Sequence, residues 1–534
     1  MRKIVALLFI CAAVCLASAC EPLDKLTAQM KSNIEDIAGE FSDANDSAEK
    51  YKPENSISLG VADFDTFNPL LTKSQTVREA MQLVYEPLFE TDESGRANPI
   101  LASGYNVSAD GLTYVIEMKD GVIWHDGKSF DAYDAAYTIK QLLNAETPYS
   151  ENLKEMSDYL AVSDNTLRIT LKRPVSGFVN LLNFPIIKYG TEAAVNPSYK
   201  PIGTGAFAYA GEISFDRYEF NAFDDYHRGK AKIDKVYIKK APDSEKYMSL
   251  FAVSETDVIS GLSADLSEYT PKGENKSYEF VSNKLVFIGF NTEKSVISEA
   301  ETRRGIAAAA DKLDIVNSVI YSKGEGVNIP INPKSVFYYD TEVNLNGSRE
   351  KALELFGNDG WGEGSDGYLR RTSGKRSELF IITILTDRDD RIKTEIAEKI
   401  KAQCEKCGIK TAVDAVSNEV YNQKIAAHDF DLYVGECSLG ANGDVSPLVL
   451  SKLNPFGYSS DEADMLISQA GMTQNEESLK EIYKSIGNKI TNDAPFVPLY
   501  FIKDSVASSG RIKDGISPVD GNIYRNSYLW QLVR

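Results

Sequence analysis

The chain lacks the signatures by which most enzymes can be recognised from sequence. No GxGxxG opens a helix after a first strand, and no GxxxxGKS/T, HExxH or GxSxG occurs in the 534 residues. Histidine is scarce, and the three present (His125, His227 and His428) are scattered without metal-ligand spacing. Basic clusters are missing too: 58 Lys and Arg stand against 78 Asp and Glu, a formal charge of −20, which excludes a basic face for nucleic acid. No stretch reaches the run of about 18 apolar residues that reads as a membrane-spanning helix. Internal repeats are absent as well. Cysteine falls to Cys404, Cys407 and Cys437 outside the first twenty residues. The CxxC of Cys404 and Cys407 closes a helical pattern over 392–401, whereas a thioredoxin-type pair needs the helix N-terminus to favour thiolate. A local disulfide, two free thiols or a metal site with a remote partner remain open for it, and redox catalysis is disfavoured. No catalytic residue, cofactor or metal is assigned.

What is present begins at the N-terminus. Arg2 and Lys3 precede an apolar run over 4–16, then Ala17-Ser18-Ala19-Cys20. About 13 apolar residues are too few to span a bilayer, and with a positive flank and small-residue exit they read as a secretory signal over 1–19. A cysteine placed directly after Ala-Ser-Ala resembles a bacterial lipobox, which makes Cys20 the expected lipidation site. Residues 20–55 are polar, acidic and poor in aromatics, the composition of a flexible tether.

The body that follows, about 480 residues, is too large for one core. Alternating strand patterns appear over 57–61, 112–118, 165–171 and 233–238, helical ones over 76–84, 130–139 and 245–251. Asp110-Gly111 and Asp120-Gly121 bound the second strand, as tight turns require. Residues 285–290 form an apolar strand, and 302–310 with 315–320 a helical pair. From 379 the pattern is strand, helix, strand (379–384, 392–400, 409–413) with a further strand at 430–434. Such a crossover implies a parallel or mixed sheet covered by helices. The fold class is α/β with hairpin-rich insertions. Asp387-Arg388-Asp389-Asp390 reads as a helix cap and solvated face. Pro201-Ile202-Gly203-Thr204-Gly205 is a turn with no following Lys-Ser or Lys-Thr for phosphate.

A series of landmarks then stands in order: Val84-Tyr85-Glu86-Pro87-Leu88, Asp110-Gly111-Leu112-Thr113-Tyr114, Asp120-Gly121-Val122-Ile123-Trp124-His125-Asp126-Gly127, and Pro201-Ile202-Gly203-Thr204-Gly205-Ala206-Phe207. Phe290-Asn291-Thr292, Ala310-Asp311-Lys312, Phe430-Asp431-Leu432 and Ala494-Pro495-Phe496-Val497-Pro498 follow. In this order and spacing they resemble extracellular solute-binding proteins of family 5, the peptide-type receptors of ABC importers, over about 57–502. The resemblance implies a two-lobed clamp of mixed sheets with a hinge. Its first-lobe core would be 56–78, 195–275 and 490–534, with an extra domain over 79–194 and a second lobe over 276–489. It also implies the function: capture of a short peptide on the extracytoplasmic face of the membrane by a lipid-anchored monomer, and delivery to a membrane permease. A sugar or metal chelate on the same scaffold, a sensing or adhesion lipoprotein and, remotely, a secreted hydrolase are the alternatives.

By the same mapping the segment 64–70 borders the cleft, with Phe64 and Phe67 as candidate ligand contacts, and Asn291 lies near the inter-lobe crossing. The Pro201–Phe207 turn is expected to support architecture. In peptide-binding members the segment after the Phe-Asp-Leu strand carries Gly-Trp and then Asp-Tyr, whose aspartate pairs with the peptide ammonium. Here it reads Gly435-Glu436-Cys437-Ser438-Leu439-Gly440-Ala441-Asn442-Gly443-Asp444. Glu436 and Asp444 are the candidates for the missing ammonium anchor.

Overall fold

The computed structural model describes residues 55–191, 194–261, 274–341, 345–373 and 376–533. The expected signal, Cys20 and the tether up to residue 54 lie outside them. Among the described residues no helix is long and apolar enough to cross a membrane.

One mixed sheet runs through both lobes. Two long strands, Asn275–Phe290 and Phe496–Ser509, lie antiparallel at its centre. On the first-lobe side Val258–Gly261 pairs with the second of these, followed by Ser56–Ala62, Lys235–Ala241, Arg217–Ala222 and Phe207–Ser214. On the other side Leu432–Ser438 pairs with Asn275–Phe290, followed by Ile381–Asp387 and Lys410–Val416. The last two are parallel and joined by the helix Arg391–Lys406, the crossover read from the sequence. That helix starts on Asp390, whose side chain accepts from Lys393 N, while Asp387 accepts from Asp389 N. The acidic run is a cap.

Helices cover both faces of the second-lobe sheet, giving two cores. Ile306, Phe356, Phe380, Ile396 and Ile400 pack on one face, and Phe287, Tyr433, Phe456, Ile486 and Phe496 on the other. The second stack depends on two glycines. Phe287 faces Gly435 across the ladder and Gly289 faces Tyr433, and a Cβ on either glycine would meet the opposing ring at under 3.0 Å. The first lobe carries a separate four-stranded sheet, ordered Ala102–Val107, Thr113–Met118, Thr166–Leu171, Met156–Ser163. The helix Ala132–Asn144 packs on it, capped by Asp131 in a reciprocal box with Asp134. This small sheet shares one continuous core with the strands of the first lobe: Tyr114, Ile116, Leu167 and Ile169 belong to the same cluster as Leu59, Phe220 and Val236.

The strand expected over 285–290 begins ten residues earlier, at Asn275. Residues 275–281 are only partly buried, with Tyr278 and Phe280 alone packing on the first-lobe core, too short an apolar alternation to mark a strand. Between Val281 and Leu285 the register against the neighbouring strand slips. Extra residues in one strand of a pair bend it and disrupt the ladder, and here the slip falls where the chain crosses between lobes. Side chains stitch it. Ser282 Oγ donates to Ile502 O (2.9 Å), and Asn283 Nδ2 to Gly440 O (2.8 Å). Asn332 Nδ2 donates to Asn283 Oδ1 (2.8 Å), and Asn283 N to Asp520 Oδ2 (3.0 Å).

Candidate ligand-binding cleft

The landmarks that stand far apart in sequence meet in the first lobe. Gly203 N donates to His125 Nδ1 (3.2 Å), His125 N to Gly203 O (2.9 Å), and His125 Nε2–H to Gly205 O (2.9 Å). That pattern needs a neutral imidazole, and burial accordingly pulls the His125 pKa down. Gly205 N donates to Val84 O (2.8 Å). Glu86 is buried and accepts from Thr204 Oγ1 (2.9 Å), Tyr226 Oη (2.7 Å) and His227 Nε2 (2.9 Å). The buried Glu86 carboxylate and the Val84 carbonyl thus hold the 201–207 turn against the 84–88 segment, and the His125 imidazole ties the same turn to the 124–128 segment.

This assembly forms a wall of a first-lobe cavity of about 240 Å³. Glu86, Tyr85 and Tyr226 line it, facing Tyr149 and Asn152 of the small domain and the C-terminal segment from Asp520 to Tyr528. A second cavity of about 130 Å³ lies between the lobes. Its first-lobe wall is the turn around Thr91 to Gly95, its floor the hinge strand at Glu279 to Asn283, and its second-lobe wall Asn332, Phe337, Asn442 and Tyr483. Thr91 and Asp520 line both spaces, so the two adjoin there.

The lobes touch around the inter-lobe cavity. Val336 N donates to Ser94 O (3.0 Å), Asn442 Nδ2 to Ser176 O (3.0 Å), and Tyr483 Oη lies 3.2 Å from Ser176 Oγ. Arg96 forks onto Glu476 with distances of 3.0 and 2.9 Å, and Gly111 packs against Gly471. A small guest in this space would be enclosed between groups from both lobes.

The five residues singled out from sequence are placed elsewhere. Phe64 and Phe67 stack edge-on at 4.7 Å, and Phe67, 1% exposed, packs on Tyr218 and Phe220 in the first-lobe core. Within 64–70 it is Pro69 that reaches the first-lobe cavity. Asn291 is buried inside the second lobe, where its Nδ2 donates to the carbonyls of His428 and Phe430. Asp444 Oδ1 accepts from Ser446 N and Oγ, and its other oxygen lies 3.9 Å from Arg173 of the small domain. Glu436 is exposed and continues the Leu432 and Val434 face of its strand. None of the five lines the inter-lobe cavity. Its wall takes Ala441, Asn442 and Gly443 from the segment singled out in the sequence, directly before Asp444, and the rest largely from segments with little sequence signal: the 91–95 turn, a strand bulge, the 331–337 loop and the C-terminal 518–520 stretch. Cys404 and Cys407 are buried free thiols with pKa values raised by burial, and Cys437 is free as well. Among the described residues no group of three His, Cys, Asp or Glu side chains is arranged to hold a metal ion.

Comparison with known proteins agrees with this architecture. The family model for bacterial extracellular solute-binding proteins, family 5 (middle), matches residues 96–464. A haem-binding protein A of Haemophilus influenzae is 26% identical over 84% of this chain and 87% of its own. The oligopeptide-binding protein AppA of Bacillus subtilis is 26% identical over 83% of this chain and 85% of its own. Among solved structures, HbpA2 of Haemophilus parasuis superposes with a TM-score of 0.77 at 20% identity, covering 90% of this chain and all of that one. The chain belongs to the bacterial extracellular solute-binding proteins of family 5.

Proposed function

We propose that the protein captures short peptides between its lobes and hands them to the permease of an ABC importer. It works as a monomer, held at the outer face of the membrane by a lipid on Cys20. Membership of family 5 makes it an extracytoplasmic, non-enzymatic binding component of such a transporter. The peptide reading is carried by the chemistry of the cavity walls. Gln82, Asn152, Asn183 and Asn522 line one cavity and Asn332 and Asn442 the other. The NH2 groups of Gln82, Asn152, Asn332 and Asn442 are spent within the protein, but Gln82 Oε1 and Asn522 Oδ1 have no donor and offer acceptors to the N–H groups of a peptide. In this reading 56–78, 195–275 and 490–534, with 79–194, move as one lobe against 276–489 about the slip at Ser282–Lys284.

Mass spectrometry of small molecules released by denaturing the purified mature protein tests this. A mixture of peptides is the expected result. A single non-peptide compound overturns the peptide reading, as does an empty extract followed by no calorimetric response to pooled tri- and tetrapeptides. The anchor has its own test: Cys20→Ala is expected to move the protein from the membrane fraction to the soluble one. Unchanged membrane retention would refute lipidation at that position.

A further inference from the structure

Asp520 sits at the tip of a two-residue turn. Val519 and Asn522 exchange backbone bonds of 3.1 and 3.0 Å, and Gly521 at φ +79° completes the turn with a conformation that costs glycine least. The turn projects Asp520 to the place where the two cavities adjoin. One carboxylate oxygen accepts from the hinge amide of Asn283 (3.0 Å). The carboxylate also receives the Gly521 amide of its own turn, and the residue is otherwise exposed to the cleft.

Around it, hydrogen-bond acceptors outnumber available donors. Gln82 spends its Nε2 on Gly521 O (2.7 Å), and its Oε1 is buried with no donor. Asn522 Oδ1 is buried without a donor as well. The cations of the same wall are already engaged. Arg78 donates to the carbonyls of Thr72 and Lys73, and Arg228 to Asn526 while lying over the Tyr528 ring; outside the wall, Arg525 pairs with the wall residue Glu90. On the inter-lobe side the charged wall residues are Asp92, Glu93 and Glu279 against Lys334. Asp92 is occupied by Ser94, Arg96 N and Asn98. Enclosure raises the Asp520 carboxyl above its ordinary pKa, offset in part by Asn283 N and Lys284. A group bringing both positive charge and several N–H donors answers this whole arrangement.

We propose that Asp520, Gln82 and Asn522 form a subsite for a primary ammonium group, where the first-lobe and inter-lobe cavities adjoin. The inference rests on the solute-capture reading and narrows it to solutes carrying such a group, whether a peptide amino terminus or a lysine-type side chain.

Calorimetric titration of the ligand-free mature protein with four probes tests it. Ac-Ala-Lys-Ala-NH2 carries only a side-chain ammonium, Ala-Ala-Ala-NH2 only a terminal one, and Ac-Ala-Ala-Ala-NH2 neither. Cadaverine carries ammonium without peptide. One ammonium peptide is expected to bind at least about tenfold tighter than the uncharged one, and which of the two does so identifies the source. In Asp520→Asn that ratio should fall below about threefold, since the amide keeps an acceptor for Asn283 but loses the charge. Asn522→Asp, which adds a carboxylate to the same site, should raise it. Equal affinity for all three peptides overturns the subsite, and so does a ratio that survives Asp520→Asn. If Asp520→Asn does not fold, an unchanged ratio in Asn522→Asp overturns it. Cadaverine binding that Asp520→Asn abolishes, with every peptide silent, keeps the subsite and rejects the peptide reading. Silence of all four probes rejects the subsite.

Discussion

Gly203→Ala is expected to leave the protein unable to fold, or to lower its stability by more than about 4 kcal/mol, beyond the ~1–3 kcal/mol usual for overpacking. The reason is not conformational, since Gly203 does not occupy the left-handed region. A Cβ there would lie 1.7 Å from the carbonyl oxygen of Val84 and 2.6 Å from its carbon. Backbone cannot swing aside as a flexible side chain does. Gly203 is also held on both sides, by its N–H to His125 Nδ1 and its carbonyl to His125 N. Relief of the clash would therefore separate the 201–207 turn from the 84–88 segment and expose Glu86. Gly104→Ala is the matched control: a Cβ there meets nothing within 4 Å, and an effect within about 0.5 kcal/mol is expected. Urea unfolding of the two variants beside the parent protein decides the matter. Equal midpoints for Gly203→Ala and the parent would show that the two segments are not in the contact described.

The comparison of the two glycines also shows what a sequence can and cannot disclose. Periodicity located the strands at Thr113–Met118 and Thr166–Leu171 and the crossover helix Arg391–Lys406, because each buries one face and exposes the other. Ordered landmarks identified the family. What they do together was not visible: His125, Glu86 and Gly203 are separated by up to 117 residues, and nothing in a linear pattern says that one imidazole joins two of the three segments. The cleft was harder still. Phe67 and Asn291 were drawn to it by position in the family pattern, yet an aromatic ring and an amide serve a core equally well. Phe67 is sealed among Tyr218 and Phe220, and Asn291 is spent on two carbonyls. Asp520 belongs to a turn with no periodic neighbours, and its partner Asn283 stands 237 residues away in a strand bulge. Turns and bulges owe their function to where the surrounding fold holds them.

Glu86→Leu should rank next in cost, at about 3–5 kcal/mol, the range for removing one partner from a buried charged network. Three donors lose their acceptor at once: Thr204 Oγ1, Tyr226 Oη and His227 Nε2, with Tyr226 and the Glu86 site itself deep in the protein. Leucine fills much of the space but accepts nothing, and each buried donor left unpaired costs about 1–3 kcal/mol. Glu86→Gln should cost less, about 1–2 kcal/mol, because an acceptor oxygen remains and the two hydroxyls can rotate to meet the new N–H donors. Unfolding midpoints give the order. Hydrogen exchange at Gly205 N–H, which bonds to Val84 O, reports whether the turn loosens as the carboxylate is removed. The combination separates two roles that position alone would confuse, because Glu86 also lines the first-lobe cavity. A structural keystone predicts that stability, Gly205 protection and ligand affinity fall together in Glu86→Leu. A ligand contact predicts lost affinity with an unchanged midpoint and full protection, since the turn would then be held by His125 and Val84 alone. The three donors converging on one buried carboxylate favour the first outcome.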